Sequence, residues 1–463
     1  MTCEEAEFDD PGVPHGSQDL ESENHIGEVI FSDDFESGSI GDVVKIANNK
    51  WDFYLADDNG DVSLPDEYRS WWYLKIDNAP TNGPITFTIK NRGWPFYYVS
   101  VYSYDNVRWF RFNESEVYQN TNKEIVVTTT FSQSEVWIAR FYPYTFSDLE
   151  RFISDIERYV FFTKVEVSGY SQCQKPIYLL KLTHPHFPPE NKKRVFIHAR
   201  THPAETPGSY VVEGLVKRLL NNSPESAKIL STHEFYIFPM HNVDGVIAGN
   251  YRTTPKSENL EVLWKYDPLD PLNLIDGLPL EVNVIHEYAR NLMTDGGPKV
   301  SMALNLHGSN SEPDTRPFFF PHFGTRAQGY SEVESNLWHK QLFFIDQMAK
   351  YYGKDMLEPT PDEGGSGFVN GGYPEAWWWA NFKDSVMAMT MEVTYDRAGY
   401  APDRITQDNM RFIGESLMFA IRDYHEFTAE NSLASYRSKI KGKVTGLKYP
   451  ELYPPDAQDE LKK

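Results

Sequence analysis

Two periodicities divide the chain. Between residues 27 and 144, apolar and polar positions alternate in short runs. Trp72-Tyr73-Leu74-Lys75-Ile76, Ile85-Thr86-Phe87-Thr88-Ile89, Tyr97-Tyr98-Val99-Ser100-Val101-Tyr102 and Ile125-Val126-Val127-Thr128 are rich in β-branched and aromatic residues, which suit a pleated, half-buried surface. Turn signals separate them at Asn82-Gly83, Asn91-Arg92-Gly93 and Asn120-Thr121-Asn122. No long stretch of 3.6-residue period intervenes, so this region predicts an antiparallel β-sandwich.

Beyond residue 145 the period changes. Residues 147–159 place Leu149, Phe152, Ile153, Ile156 and Tyr159 on one helical face. Apolar runs at 194–199, 235–240, 300–307 and 386–394 predict strands. Thr206-Pro207 supplies an N-cap and first-turn pair for a helix carrying Val211, Val212, Leu215, Val216, Leu219 and Leu220. Further helices are expected at 282–293, 333–352 and 406–426. Strands alternating with helices predict an α/β domain with helices on both faces of its sheet. The expected organisation is an acidic, flexible leader at 1–26, a β-sandwich at 27–144, the α/β domain at 145–430, and a polar tail at 431–463.

Composition narrows the function classes. The chain has 463 residues, 40% hydrophobic and 15% aromatic, enough to bury a large core. Its 44 Lys+Arg against 67 Asp+Glu leave a net charge of −23. Nucleic-acid phosphates and anionic membrane surfaces both call for surplus Lys/Arg, so no nucleic-acid partner is expected. No apolar run approaches the ~18–20 residues that span a bilayer, so no transmembrane segment is expected. The first residues lack a basic n-region and an apolar h-region, which predicts no signal peptide in this sequence. Two cysteines, Cys3 and Cys173, exclude a disulfide-rich scaffold. Cys3 ahead of an acidic tether leaves two locations open: cytoplasmic, or a periplasmic lipoprotein anchored through Cys3.

Four pieces of sequence carry chemistry. His202-Pro203-Ala204-Glu205 lies between a strand and a helix start, where a His and a Glu three apart can address one metal ion. Alone, this pattern is also common by chance. His307-Gly308 ends an apolar strand, and ligands in open α/β sheets gather outside the carboxyl ends of strands. Glu392 sits in the apolar run Val386-Met387-Ala388-Met389-Thr390-Met391-Glu392-Val393. A carboxylate there needs a metal or a partner, and Arg397 is one candidate. Asn242-Val243-Asp244-Gly245 follows a strand and leads into Gly249-Asn250-Tyr251-Arg252. Trp377-Trp378-Trp379 and the alternating Met387, Met389 and Met391 read as core, and His184 and His186 as a surface loop.

In order and spacing these pieces resemble the zinc metallocarboxypeptidases, most closely their cytosolic carboxypeptidase branch. Arg200-Thr201-His202-Pro203-Ala204-Glu205-Thr206 resembles the first zinc motif, and Pro239-Met240-His241-Asn242-Val243-Asp244-Gly245-Val246 with Gly249-Asn250-Tyr251-Arg252 the second block. Leu306-His307-Gly308 resembles the third ligand, and Met391-Glu392-Val393-Thr394 the catalytic strand. Upstream, Trp72-Tyr73-Leu74, Asn91, Trp109 and Phe141-Tyr142-Pro143-Tyr144-Thr145 resemble the branch's β-sandwich. The resemblance implies one Zn²⁺ on His202, Glu205 and His307, with Glu392 as general base and Arg252 holding the developing oxyanion. It implies a mixed central sheet for the α/β domain, and it places Arg200, Asn250, Glu261 and either Tyr373 or Tyr395 at the substrate.

One departure matters. The family block Gly-x-Asp-Leu-Asn-Arg-x-Trp grips a terminal carboxylate through its Asn-Arg pair. In the register that keeps Leu260 and Trp264, this chain reads Ser257-Glu258-Asn259-Leu260-Glu261-Val262-Leu263-Trp264. Glu261-Val262 replace Asn-Arg. Val262 has no donor, and a Glu261 facing the pocket would repel a carboxylate. The expected function is zinc-dependent hydrolysis of a peptide or isopeptide bond, with a peptide or protein substrate and no oligomeric state assigned. Two alternatives stay open: a zinc amidase or endopeptidase on cell-wall or other carboxylate-free substrates, and a weakly active peptide- or glycan-binding protein.

Overall fold

The computed structural model describes residues 27–309, 316–324, 326–357, 371–399 and 403–430. Cys3, the leader at 1–26 and the tail at 431–463 lie outside them. The chain partitions into two compact units. The first runs to Phe146 and takes in Asp244–Glu258; the second comprises Ser147–Val243 and resumes at Asn259.

The described strands of the first unit are β1 (Ile30–Ser32), β2 (Val43–Ala47), β3 (Lys50–Tyr54), β4 (Tyr73–Asp77), β5 (Ile85–Lys90), β6 (Val101–Ser103), β7 (Trp109–Arg111), β8 (Val117–Gln119), β9 (Ile125–Thr129) and β10 (Val136–Ala139). They form two five-stranded sheets, β1-β4-β10-β6-β7 and β2-β3-β5-β9-β8. The alternation read from β5 is literal: Ile85, Phe87 and Ile89 are buried, and Thr86, Thr88 and Lys90 are not. These side chains join Trp51, Phe53, Leu74, Ile76, Val127 and Ile138 in one core. The sandwich is antiparallel except at β3 and β5, which pair in parallel. The run at 97–102 contributes only its end to a strand. Tyr98 instead accepts the Trp72 indole N–H at 3.0 Å.

Helix Phe146–Glu157 carries the chain into the second unit at Ser147, followed by β11 (Thr163–Tyr170), β12 (Pro176–Leu182), β13 (Lys193–Ala199), helices Pro207–Leu219 and Pro224–Thr232, and β14 (His233–Phe238). A small hairpin, β15 (Tyr266–Asp267) and β16 (Asp270–Leu274), precedes helix Leu280–Thr294 and β17 (Val300–Ser309). β18 (Phe318–Phe319), helices Glu332–Tyr352 and Pro374–Phe382, β19 (Met387–Thr394) and helix Gln407–Glu430 complete it. The seven-stranded sheet runs β11-β12-β14-β13-β17-β19-β18. Its centre, β14-β13-β17-β19, is parallel, and its flanks are antiparallel. The β11–β12 hairpin was not foreseen, because its pattern is only partly apolar. Thr206 holds the N-cap position of helix Pro207–Leu219, yet its side chain makes no capping bond. Trp377, Trp378 and Trp379 are buried in the core, as their composition predicts.

Candidate metal centre and active site

The chain leaves β13 toward β14 on one side, while β17 pairs with β13 on the other. Such a switch point opens a crevice outside the carboxyl ends of the strands. The first residue beyond β13, Arg200, adopts a left-handed φ of 62°. Its carbonyl accepts the Asn242 N–H at 3.0 Å. Its buried guanidinium donates to the Pro203 carbonyl at 2.8 Å and to Ser209 Oγ at 2.9 Å. Arg200, expected at the substrate, therefore braces its own loop.

That loop delivers His202 and Glu205, and the end of β17 delivers His307. His202 Nδ1 lies 2.8 Å from Glu205 Oε1, and His307 Nδ1 lies 2.7 Å from Glu205 Oε2. The Gly308 N–H donates to the same oxygen at 3.0 Å. One donor atom from each of His202, Glu205 and His307 falls within 4.8 Å of the others, and all three side chains are buried. Burial alone would raise the Glu205 carboxyl, but the two imidazoles hold it well below the carboxylate range. Burial would lower His307, but Glu261 and Glu205 push it well above the usual imidazole range. Two imidazole nitrogens and a carboxylate match the three-protein-ligand set of catalytic zinc sites, so these residues fit the metal. Gly308 leaves room for Tyr395, since a Cβ on it would lie 2.8 Å from Tyr395 Oη and the ring would have to shift.

A 3₁₀ turn, Leu260–Val262, lies behind the donors. Asn259 Oδ1 sits 3.2 Å from His202 Nε2 and accepts the Glu261 N–H at 3.1 Å. Glu261, expected at the substrate, contacts groups of the site itself. It is buried, with Oε2 3.2 Å from His307 Nε2 and Oε1 accepting from Asn305 Nδ2 at 3.1 Å. Burial raises its carboxyl, but His307 outweighs this and holds it below the usual range.

Sequence reasoning missed Asn259 as a partner of the site, although the block comparison contained it. It also missed the row below. His198, Asn305 and Thr390 lie side by side across β13, β17 and β19. Thr390 donates to Glu375 at 2.8 Å, and burial plus the nearby Glu261 push Glu375 up to about 7. Burial and His241 push His198 down to about 3. Neither Glu375 nor His198 stands in a recognisable motif.

Glu392 pairs in register with His307 on the neighbouring strand, and directly paired residues project from the same face of a sheet. Its side chain is only partly buried. Tyr395 is set against Gly308; Tyr373 is half-buried at the N-cap of helix Pro374–Phe382. Asn250 and Arg252 belong to the first unit. There the Asn250 amide donates to Asn59 Oδ1 at 2.8 Å and to the Thr253 carbonyl at 3.0 Å. The Arg252 guanidinium lies 5.5 Å from the centre of the Tyr68 ring.

Comparison with known proteins accords with this geometry. Residues 31–141 match the cytosolic carboxypeptidase N-terminal domain, and residues 149–265 match the zinc carboxypeptidase family. The second match contains His202 and Glu205; His307 and Glu392 lie beyond it and join them through the sheet. Human cytosolic carboxypeptidase 2 is 29% identical over 264 residues, which is 51% of this chain and 29% of the human protein. Cytosolic carboxypeptidase 6 of Caenorhabditis elegans is 27% identical over 335 residues, 68% of this chain and 70% of that protein. The matched stretch therefore spans under a third of the human relative. The crystal structure of a metallo-carboxypeptidase from Burkholderia cenocepacia shares the fold, with a TM-score of 0.71 at 22% identity, over 86% of this chain and 99% of that one. Two family matches thus follow one another along this chain: its residues 31–141 are similar to the N-terminal domain of the cytosolic carboxypeptidases, and its residues 149–265 to the zinc carboxypeptidases.

Proposed function

We propose that this protein is a zinc-dependent carboxypeptidase-type hydrolase acting on peptide or isopeptide bonds. The observation that carries this reading is the convergence of His202, Glu205 and His307 within 4.8 Å, with Glu392 in register with His307 on the next strand. His202, Glu205 and His307 would hold zinc, which would act as a Lewis acid and lower the pKa of a bound water toward ~7. Glu392 accepts the proton of the attacking water and delivers it to the leaving amine. Arg252 holds the oxygen of the scissile carbonyl as its charge develops; its support is its place in the Gly249-Asn250-Tyr251-Arg252 block. Tyr395, beside Gly308, is favoured over Tyr373 as the substrate-side tyrosine. The names of the curated relatives favour the cytosol over a lipid anchor at Cys3. Among the described residues no helix is long and apolar enough to cross a membrane.

A second reading rests on the altered clamp. Val262 offers no donor, and Glu261 is turned toward Asn305 and His307. We therefore infer that a free terminal carboxylate is not demanded in the usual way, which leaves room for amidase or endopeptidase substrates. One experiment tests both readings: zinc content, then turnover by mass spectrometry on a peptide panel with matched C-terminal acids and amides. Absence of zinc or of all turnover sinks the hydrolase reading. A hundredfold preference for the acids sinks the second.

A further inference from the structure

The turn at Asn259–Val262 touches both histidine donors from behind. Asn259 Oδ1 is 3.2 Å from His202 Nε2, and Glu261 Oε2 is 3.2 Å from His307 Nε2. The other nitrogen of each ring, Nδ1, is the one turned to Glu205. A neutral imidazole carries one proton, so an acceptor at Nε2 leaves the Nδ1 lone pair for a metal. The family block has Asp and Asn where this chain has Asn259 and Glu261, so acid and amide have exchanged places. The exchange moves the charged acceptor from the His202 side to the His307 side.

We infer that Glu261 is a positioning residue for the metal centre: its carboxylate fixes the tautomer and orientation of His307 and does not contact the substrate's terminus. The inference rests on the zinc-hydrolase reading. Two sets of hydrogen bonds hold Glu261 in place. Its backbone N–H is tied to Asn259 Oδ1 at 3.1 Å. Asn305 Nδ2 reaches both its oxygens, at 3.1 and 3.4 Å. Asn305 is two residues before His307 on β17 and so shares its face. Charge balance points the same way. Zinc with two neutral histidines and Glu205 leaves one positive charge in a buried site, and Glu261 cancels it. A clamp for a substrate carboxylate would need the opposite charge.

The test is zinc affinity, measured by chelator competition on full-length Glu261→Gln, Glu261→Ala and the double variant Asn259→Asp/Glu261→Asn, with thermal melts of the zinc-free proteins. Loss of an outer partner typically weakens metal binding ~10–100-fold. Glu261→Ala should fall in that range, and Glu261→Gln should weaken binding less. The double variant, which restores the family arrangement, should recover to within a few-fold of the parent. Should Glu261→Ala fail to fold, the isosteric Glu261→Gln carries the test. Zinc dissociation constants within twofold of the parent in both single variants overturn the inference. So does a rise in KM for free-acid peptides with zinc affinity unchanged, the signature of a substrate clamp. A parent protein that takes up no zinc brings down the hydrolase reading as well; unchanged affinity in the variants brings down this inference alone.

Discussion

The Asp58 carboxylate accepts the backbone N–H of Arg252 at 2.8 Å. The same carboxylate accepts the N–H groups of Tyr251 at 2.6 Å and Thr253 at 2.8 Å, and the Thr253 hydroxyl at 3.0 Å. Beside it, Asn59 donates to the Thr254 carbonyl at 2.9 Å and Ser257 Oγ at 3.2 Å. These bonds make Asp244–Glu258 part of the first unit, although the sequence on either side belongs to the second. Burial raises the Asp58 carboxyl above its ordinary value despite these donors. The position of the Arg252 backbone is thus set by a residue 194 positions earlier.

Asp58→Ala should therefore loosen the first unit. It leaves three backbone donors unsatisfied, and losing such a partner costs about 1–3 kcal/mol for each buried group left unpaired. We expect an overall loss of about 2–4 kcal/mol, since some of the donors regain water. Asp58→Asn, which keeps one acceptor, should lose less. Urea unfolding of both variants measures this, and a parent-like midpoint for Asp58→Ala would contradict it.

A chain starting at Phe146 should be inactive or aggregate. It keeps Asp244–Glu258 but removes Asp58 and Asn59, which hold that segment. Expression of the truncated chain, with solubility and turnover as readouts, decides the matter. Full activity in a soluble truncation would rule it out.

His202→Ala and His307→Ala should each lose zinc, because a three-ligand site reduced to two binds poorly. Glu392→Gln should keep zinc, since Glu392 is not among the converging donors. A general base typically contributes ~10²–10⁴-fold, so its turnover should fall by about that factor. Elemental analysis beside turnover reads both. Zinc retained in both histidine variants, or parent-like turnover in Glu392→Gln, would refute the corresponding role.

Stability should fall as pH drops below neutral. Burial pushes His233 and His286 down to about 4, and His425 well below 6.5. His233 Nε2 and His425 Nδ1 lie 3.1 Å apart, far from the metal donors in sequence. A folded-state pKa below the unfolded value means that the unfolded chain binds the extra proton. The stabilisation is therefore present above pH 6.5 and is lost as pH falls toward 4. Each such imidazole contributes up to about 1.4 kcal/mol per pH unit in that window. Denaturant midpoints from pH 7.5 to 4.5 should show the decline, and a flat profile would be incompatible with neutral buried imidazoles.

Local pattern carried much of this protein. Alternation over six residues showed β5, because a strand's two faces see different solvents, and β-branched composition showed β9. His202 and Glu205 were legible as a pair because three residues of loop hold them together, and His307 because it ends an apolar strand. Partnerships between distant residues left no trace in any period. That Glu261 turns to His307 and Asn305, that Tyr395 and not Tyr373 abuts Gly308, and that Asp58 grips the Arg252 backbone were decided only when the chain folded. In each case the partners lie tens to hundreds of residues apart, and for Asp58 burial leaves the carboxylate and the backbone N–H groups of residues 251–253 to satisfy one another. The side chains of Glu261 and Asp58 are acidic in the sequence; folding alone determined that one faces an imidazole and the other a row of backbone amides.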